Sequence, residues 1–336
     1  MKVFRGLKHS GMAPACALTI GNFDGVHRGH QAMLALLRSE AAQRGVCSCV
    51  LTFEPHPRDY FAAATGRQQF APARIGTQRD KLTDLANCGV DQAVVLPFDA
   101  RLAAQSPTSF VESVLVRGLG AKYVLVGDDF RFGAQRAGDY AMLDAAGDQH
   151  GFDVARMNSY EVHGLRVSSS AVRAALDDGR MDDAARLLGR PYRISGHVVH
   201  GRKLGRELGF RTLNLRFAHW KPAAKGIFVV LVHGLADKPA QGVANLGIRP
   251  SLDPDDVNGG RVLLETHCLD WPAALALDAG YGKIIRVELL HKLHGELKYD
   301  GLGALQRGIS RDCDDARAYF AAMHTETHRQ TTRDRI

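Results

Sequence analysis

Apolar positions in the first half of the chain alternate between two rhythms. Cys16 to Ile20 (CALTI) is an apolar run of strand length, and beyond His30 the residues Met33, Leu34, Leu36 and Leu37 recur at helical spacing. A glycine-rich turn, residues 21–29, joins them. The pairing then repeats. Apolar runs predict strands at 46–53, 93–96, 123–126 and 154–157. Helical spacing predicts helices at 77–88 and 139–150, with another opened by Ser106-Pro107 and running to about 117. In the loop Glu54-Pro55-His56-Pro57 two prolines argue against helix or central strand. Such alternation predicts a doubly wound parallel sheet with helices on both faces. Residues 167–189 read as two short helices.

Near residue 190 the rhythm changes. Segments 193–200, 226–232, 261–269 and 284–290 are rich in β-branched residues and joined by Gly/Pro loops without helices between them. One amphipathic helix, about 302–323, closes the chain. The expectation is an α/β domain over 1–189, a small antiparallel β-barrel with a C-terminal helix over 190–324, and a basic tail over 325–336.

Composition narrows the class. A chain of 336 residues, 45% hydrophobic and 24% charged, suits two soluble globular domains. No apolar run reaches the ~20 residues of a spanning helix, and MKVFRGLKHSG lacks a signal-peptide core. The six cysteines contain no C-x-x-C and read as reduced thiols of a cytoplasmic protein. The net charge of +7 suits phosphorylated ligands. Basic residues are dispersed, with no aromatic-basic stripe, which argues against nucleic acid. The expected partners are small molecules, with no membrane, and a monomer or weak homo-oligomer.

The candidate chemistry begins in the first turn. Its end, His27-Arg28-Gly29-His30, is neither a Walker loop nor a dinucleotide fingerprint. Two histidines three apart at a helix start share a face and point with the dipole, and Gly29 leaves room for a phosphate. Gly21, Asn22, Phe23, Asp24 and Gly29 are therefore candidate nucleotide contacts, with His27 and His30 as donors. Ser168, Ser169 and Ser170 open a second helix, with Arg173 one turn in, as a further anion site or as an ordinary serine cap. In the second half, Gly201, Lys203, Gly205, Arg206 and Gly209 lie in a glycine-spaced basic loop fit to wrap phosphates. Thr212 and Asn214 are two apart, so in an extended segment their oxygens face one side and can hold Mg²⁺. Glu265 sits in an apolar strand, where a carboxylate has a task or simply faces outward.

The full stretch Gly21-Asn-Phe-Asp-Gly-Val-His-Arg-Gly-His30 resembles the H-x-G-H motif of nucleotidylyltransferases, and in that form the bifunctional riboflavin kinase/FAD synthetase family. Phe53-Glu-Pro-His-Pro57, Gly127-Asp-Asp-Phe-Arg-Phe-Gly133 and Val167-Ser-Ser-Ser-Ala-Val-Arg173 look like further blocks of that family, in order. Residues 205–214 and 242–250 resemble its kinase half, with departures: Arg211 for proline, Leu213 for alanine and Ile248 for threonine. The resemblance implies a nucleotidylyltransferase-like domain followed by a riboflavin kinase-like barrel. It implies phosphorylation of riboflavin by ATP to FMN and adenylylation of FMN by ATP to FAD, with Mg²⁺. It also implies Glu265 as the base of the first step, and Asp129, Phe130, Arg131, Phe132, Gly133 and Arg249 as flavin contacts. A second reading keeps only the adenylyltransferase, the departures having silenced the barrel's chemistry.

Overall fold

In a computed structural model of the protein the apolar runs of the first half form one six-stranded parallel sheet. The structure describes residues 1–67, 70–158, 160–162, 165–200, 208–217, 221–248, 262–272, 275–276 and 278–333. The sheet comprises β1 (Lys2–Arg5), β2 (Cys16–Ile20), β3 (Cys47–Glu54), β4 (Gln92–Pro97), β5 (Ala121–Gly127) and β6 (Asp153–Met157), in the order β1-β4-β3-β2-β5-β6. Alternate residues of each strand face opposite layers. On one side Ala17, Val50 and Leu125 pack with Leu34 and Leu37 of helix α1 (Arg28–Gln43). Leu85 of α3 (Gln78–Asn87) joins the same layer. On the other side Cys16, Leu18, Leu51 and Val124 pack with Phe110, Val114, Leu115 and Leu143. Those last four come from α5 (Pro107–Phe110), the π-helical turn Val111–Val116 that continues it, and α6 (Tyr140–His150). All-parallel strands covered on both faces are the arrangement the alternation predicts.

Several elements depart from the sequence reading. Lys2–Arg5 pairs with β4 at the sheet edge, although its polar composition gave no strand signal. The loop expected after β3 instead opens helix α2 (Pro57–Ala64), with Pro57 in its first turn and His56 as cap, the one helical setting that suits proline. A four-residue helix α4 (Ala100–Ala103) follows β4.

After the short hairpin β7 (Glu161–Val162) and β8 (Leu165–Arg166) come α7 (Ser169–Asp177) and α8 (Met181–Leu188). The second half is a closed antiparallel barrel. Its strands are β9 (Tyr192–Val199), β10 (Thr212–Phe217), β11 (Gly226–His233), β12 (Ala240–Ile248), β13 (Val262–Cys268) and β14 (Ile284–His294), in the order β10-β13-β12-β11-β14-β9. Strand β12, missed in the sequence, is interrupted by glycines that weaken its β signal. The last helix, α9 (Leu302–Arg333), lays Cys313, Ala316 and Phe320 over Val229 and Val243 on the outside of the barrel, and it continues through the polar segment expected as a tail.

The chain divides into two compact units that interleave in sequence. The first comprises residues 1–72 and 80–171, the second 73–79 and 172–336. Segment 73–79 joins the second unit through Arg74, whose backbone N–H donates to the Lys221 carbonyl at 3.1 Å. Among the described residues no helix is long and apolar enough to cross a membrane.

Candidate functional site

In the first unit the chain order reverses at β2, which has β3 on one side and β5 on the other. In open parallel sheets the carboxyl ends of strands at such a reversal frame a ligand crevice. The turn after β2 lies there. It is tightly wound: Phe23, Gly25 and Val26 all have positive φ, at 49°, 83° and 39°. A β-branched residue in that region is strained and has to be held by its surroundings. Phe23 and Val26 are buried in the layer under α1, which does so.

His27 caps α1, its Nδ1 accepting the backbone N–H of His30 at 3.3 Å. The two imidazoles stack, with centroids 3.7 Å apart and planes 15° from parallel, and Phe23 packs against His30 at 4.9 Å. Burial, and secondarily the nearby His27, hold the His30 imidazole well below its ordinary pKa. Its buried Nδ1 has no hydrogen-bond partner among the described residues. Gly29 lies close under this stack: a Cβ there would crowd the His27 ring at 3.3 Å, so the ring would have to shift by a few tenths of an ångström.

Thr52 and Ser169 tie two further segments of the first unit to the same turn. Thr52 Oγ1 at the end of β3 donates to the Asn22 carbonyl at 3.4 Å and accepts from the buried Lys81 Nζ at 3.2 Å. Ser169 Oγ donates to the Asp24 carbonyl at 3.0 Å, tying the start of α7 to the turn. Ser168 Oγ accepts the Ala171 N–H at 3.1 Å as the cap of α7, and Ser170 is exposed. Arg173 Nε donates to the Ala73 carbonyl at 2.6 Å. Of the loop after β5, Phe132 is buried in the core against Phe110, whereas Phe130 is half-buried and stacked on Phe132 at 5.5 Å. Asp129 is exposed, and Arg131 pairs with Asp139 at 3.4 Å. Gly133, with φ of 71°, lies so close to Pro107 that a Cβ would meet its ring at 2.6 Å.

Sequence reasoning missed an aromatic cluster at the carboxyl ends of β3 and β4. Phe98 stands edge-on to Phe53, Tyr60 and Phe61, with centroids 5.4–5.8 Å apart, and Phe61 is half exposed. The signal was an F-E-P-H-P block read as loop; α2 brings Tyr60 and Phe61 back over it.

In the second unit strand register assembles the other candidates. Asn214 lies opposite Glu265 and Thr212 opposite His267, while Asn245 on β12 flanks Glu265 on its other side. Directly opposed residues share a face, so Thr212, Asn214, Glu265 and Asn245 line one patch on the outer wall of the barrel. Leu213, Leu215 and Phe217 alternate with them into the core. The side-chain oxygens of Asn214 and Asn245 are buried and lack hydrogen-bond partners among the described residues. Asn245 lies in the 242–250 block, but only the register reveals Glu265 as its neighbour. Gly209, with φ of 86°, turns the chain just before β10. Gly201, Lys203, Gly205, Arg206 and Arg249 lie outside the described residues.

The FAD synthetase family profile matches residues 10–171, and the riboflavin kinase profile residues 188–320. The bifunctional riboflavin kinase/FMN adenylyltransferase of Escherichia coli is 44% identical over 95% of this chain and 98% of its own. Those of Pseudomonas fluorescens and Haemophilus influenzae are 43% and 40% identical, covering 96% and 95% of this chain and 98% and 99% of theirs. A Streptococcus pneumoniae structure described as a macrolide-efflux protein superposes with a TM-score of 0.72 at 23% identity, over 94% of this chain and 99% of that one. At that identity it shows a shared fold.

Proposed function

The chain belongs to the bifunctional riboflavin kinase/FMN adenylyltransferase family, and on that premise we propose which residues carry each activity. The enzyme transfers a phosphoryl group from ATP to riboflavin, giving FMN, and an adenylyl group from ATP to FMN, giving FAD and pyrophosphate.

The kinase step uses the outer-wall patch of the barrel. A ribityl hydroxyl must lose a proton as it attacks the γ-phosphorus, and Glu265 accepts it. The observation that carries this reading is the alignment of Glu265 between Asn214 and Asn245, whose two buried side-chain oxygens lack hydrogen-bond donors among the described residues. Hard oxygens of this kind suit Mg²⁺, which Thr212 and Asn214 would hold. Bound there, the ion would offset charge on the ATP phosphates. Arg249 and the loop carrying Gly201, Lys203, Gly205 and Arg206 complete the assignment as flavin and phosphate contacts.

The adenylyl step takes place at the turn after β2. Its nucleophile, the FMN phosphate, is already an anion and needs no base. The site instead stabilises charge on the α-phosphate and the departing pyrophosphate. Because His27 Nδ1 accepts the His30 N–H, its proton sits on Nε2, which donates to phosphate. His30, stacked on His27, supplies the second imidazole donor. The amides opening α1 add the helix dipole, with Gly21, Asn22, Asp24 and Gly29 shaping the approach. The amides opening α7, with Ser170 and the Arg173 guanidinium, form a further anion contact. Phe130 and the Phe53/Tyr60/Phe61/Phe98 cluster offer faces and edges on which the isoalloxazine ring packs, flanked by Asp129 and Arg131. Six free thiols fit the cytoplasm.

A double dissociation tests the assignment. E265Q should abolish FMN formation from riboflavin and spare FAD formation from supplied FMN. H30A should cut FAD formation about a hundredfold and spare FMN formation. Parallel loss of both activities in either variant would overturn the two-site assignment.

A further inference from the structure

We infer that His267 is a positioning residue of the kinase, holding the start of β10 so that Thr212 and Asn214 present their oxygens in register with Glu265. The inference rests on the kinase assignment above.

His267 lies directly opposite Thr212 across the β10–β13 ladder, two residues from Glu265 on the same strand and the same face. Its Nδ1–H donates to the backbone carbonyl of Arg211, at 2.8 Å. Its ring stands edge-on to Phe210 at 5.4 Å. His267 therefore grips both residues that precede Thr212. The grip matters because the chain just upstream is poorly constrained by its own sequence. Gly209 adopts a positive φ of 86° and, among the described residues, has nothing within 4 Å of where a Cβ would stand. Arg211 is exposed and imposes no backbone restriction of its own. The segment is instead pinned at two carbonyls, Leu208 by Gln306 Nε2 of α9 at 3.2 Å and Arg211 by His267. The second pin adjoins Thr212, so it sets where β10 begins. Burial, foremost, keeps the His267 imidazole below its ordinary pKa, consistent with a neutral ring whose single proton is on Nδ1.

Side-chain isosteres separate this role from chemistry at the other ring nitrogen. The amide of asparagine reaches where Nδ1 stands, and that of glutamine where Nε2 stands. H267L and H267Q should each lower kinase kcat/KM for Mg-ATP roughly tenfold, about the worth of one well-placed hydrogen bond, while H267N stays within about threefold of the parent. In metal-free enzyme, amide hydrogen exchange over residues 208–214 should quicken in H267L and H267Q and not in H267N. FAD formation from FMN, measured on the same samples, should be unchanged in all three, and a barrel melting transition within a few degrees of the parent's establishes that each variant is folded; should H267L not fold, H267Q carries the comparison. Recovery by H267Q rather than H267N, or an unchanged kcat/KM and exchange in H267Q, would overturn the inference. Failure of the underlying reading looks different: T212A and N214A would then leave the Mg²⁺ dependence of the kinase unaltered, whatever His267 does.

Discussion

His30 shows what a single residue owes to its setting. The H-R-G-H spacing is legible in the sequence, and it announces two histidines at a helix start. It does not announce that the rings stack, that Phe23 covers one of them, or that His30 is held neutral; these follow from a strained turn whose φ values only the folded core imposes. The neutral state has a measurable cost in acid. Because the folded protein holds His30 below its ordinary value of 6.5, the unfolded chain binds the extra proton first. The stability that His30 contributes is complete above pH 6.5 and declines as pH falls below it. Thermal unfolding between pH 7.5 and 5.5 should show this slope, and H30Q should flatten it. Glu265 is the opposite case: its strand is legible, and its setting is not, because Asn214 and Asn245 are brought beside it by register between distant segments.

Elements were legible where one periodicity dominated. The strand–turn–helix unit of β2 and α1, the two short helices before the barrel and the first two thirds of α9 follow directly from apolar spacing; the polar end of α9 does not. Strand β12 was missed because its glycines dilute the pattern, and α2 because proline reads as a breaker unless its place in the first turn is known. Helix α9 is fixed to the barrel by more than its apolar face. His294, the last residue of β14, contacts Asp312 Oδ1 through Nε2 at 2.8 Å and the Gly295 carbonyl through Nδ1 at 2.7 Å. Partial burial lowers the pKa of His294, but these two partners outweigh it and the net direction is upward. A raised histidine stabilises below its unfolded value of 6.5 and loses that contribution as pH rises through the folded value. The urea midpoint of the wild type should therefore fall between pH 6 and pH 8.5, and D312N should remove most of that difference.

At the scale of the whole molecule, the two architectures and their order were visible as a change of rhythm near residue 190. The contact boundary was not. Helix α7 straddles residue 171/172, α8 belongs with β9 and β14, and residues 73–79 belong with the barrel although they lie deep in the first half of the sequence. Nothing in a local pattern announces a partner so remote. A fragment beginning at residue 188, where the riboflavin kinase profile starts, lacks α7, most of α8 and the Arg74 contact. It should melt below the barrel transition of the intact protein, and a fragment beginning at residue 172 should recover part of the difference; equal melting of all three would show that these contacts carry no stability.

The borrowed segment also sets a schedule for synthesis. Arg74 leaves the ribosome 147 residues before Lys221, the residue to which it hydrogen-bonds. At 5–20 residues per second that is a delay of roughly 7 to 30 s. During it the parallel sheet can assemble around a loop that has nothing yet to join, so the second unit is completed last, by a piece of chain made early.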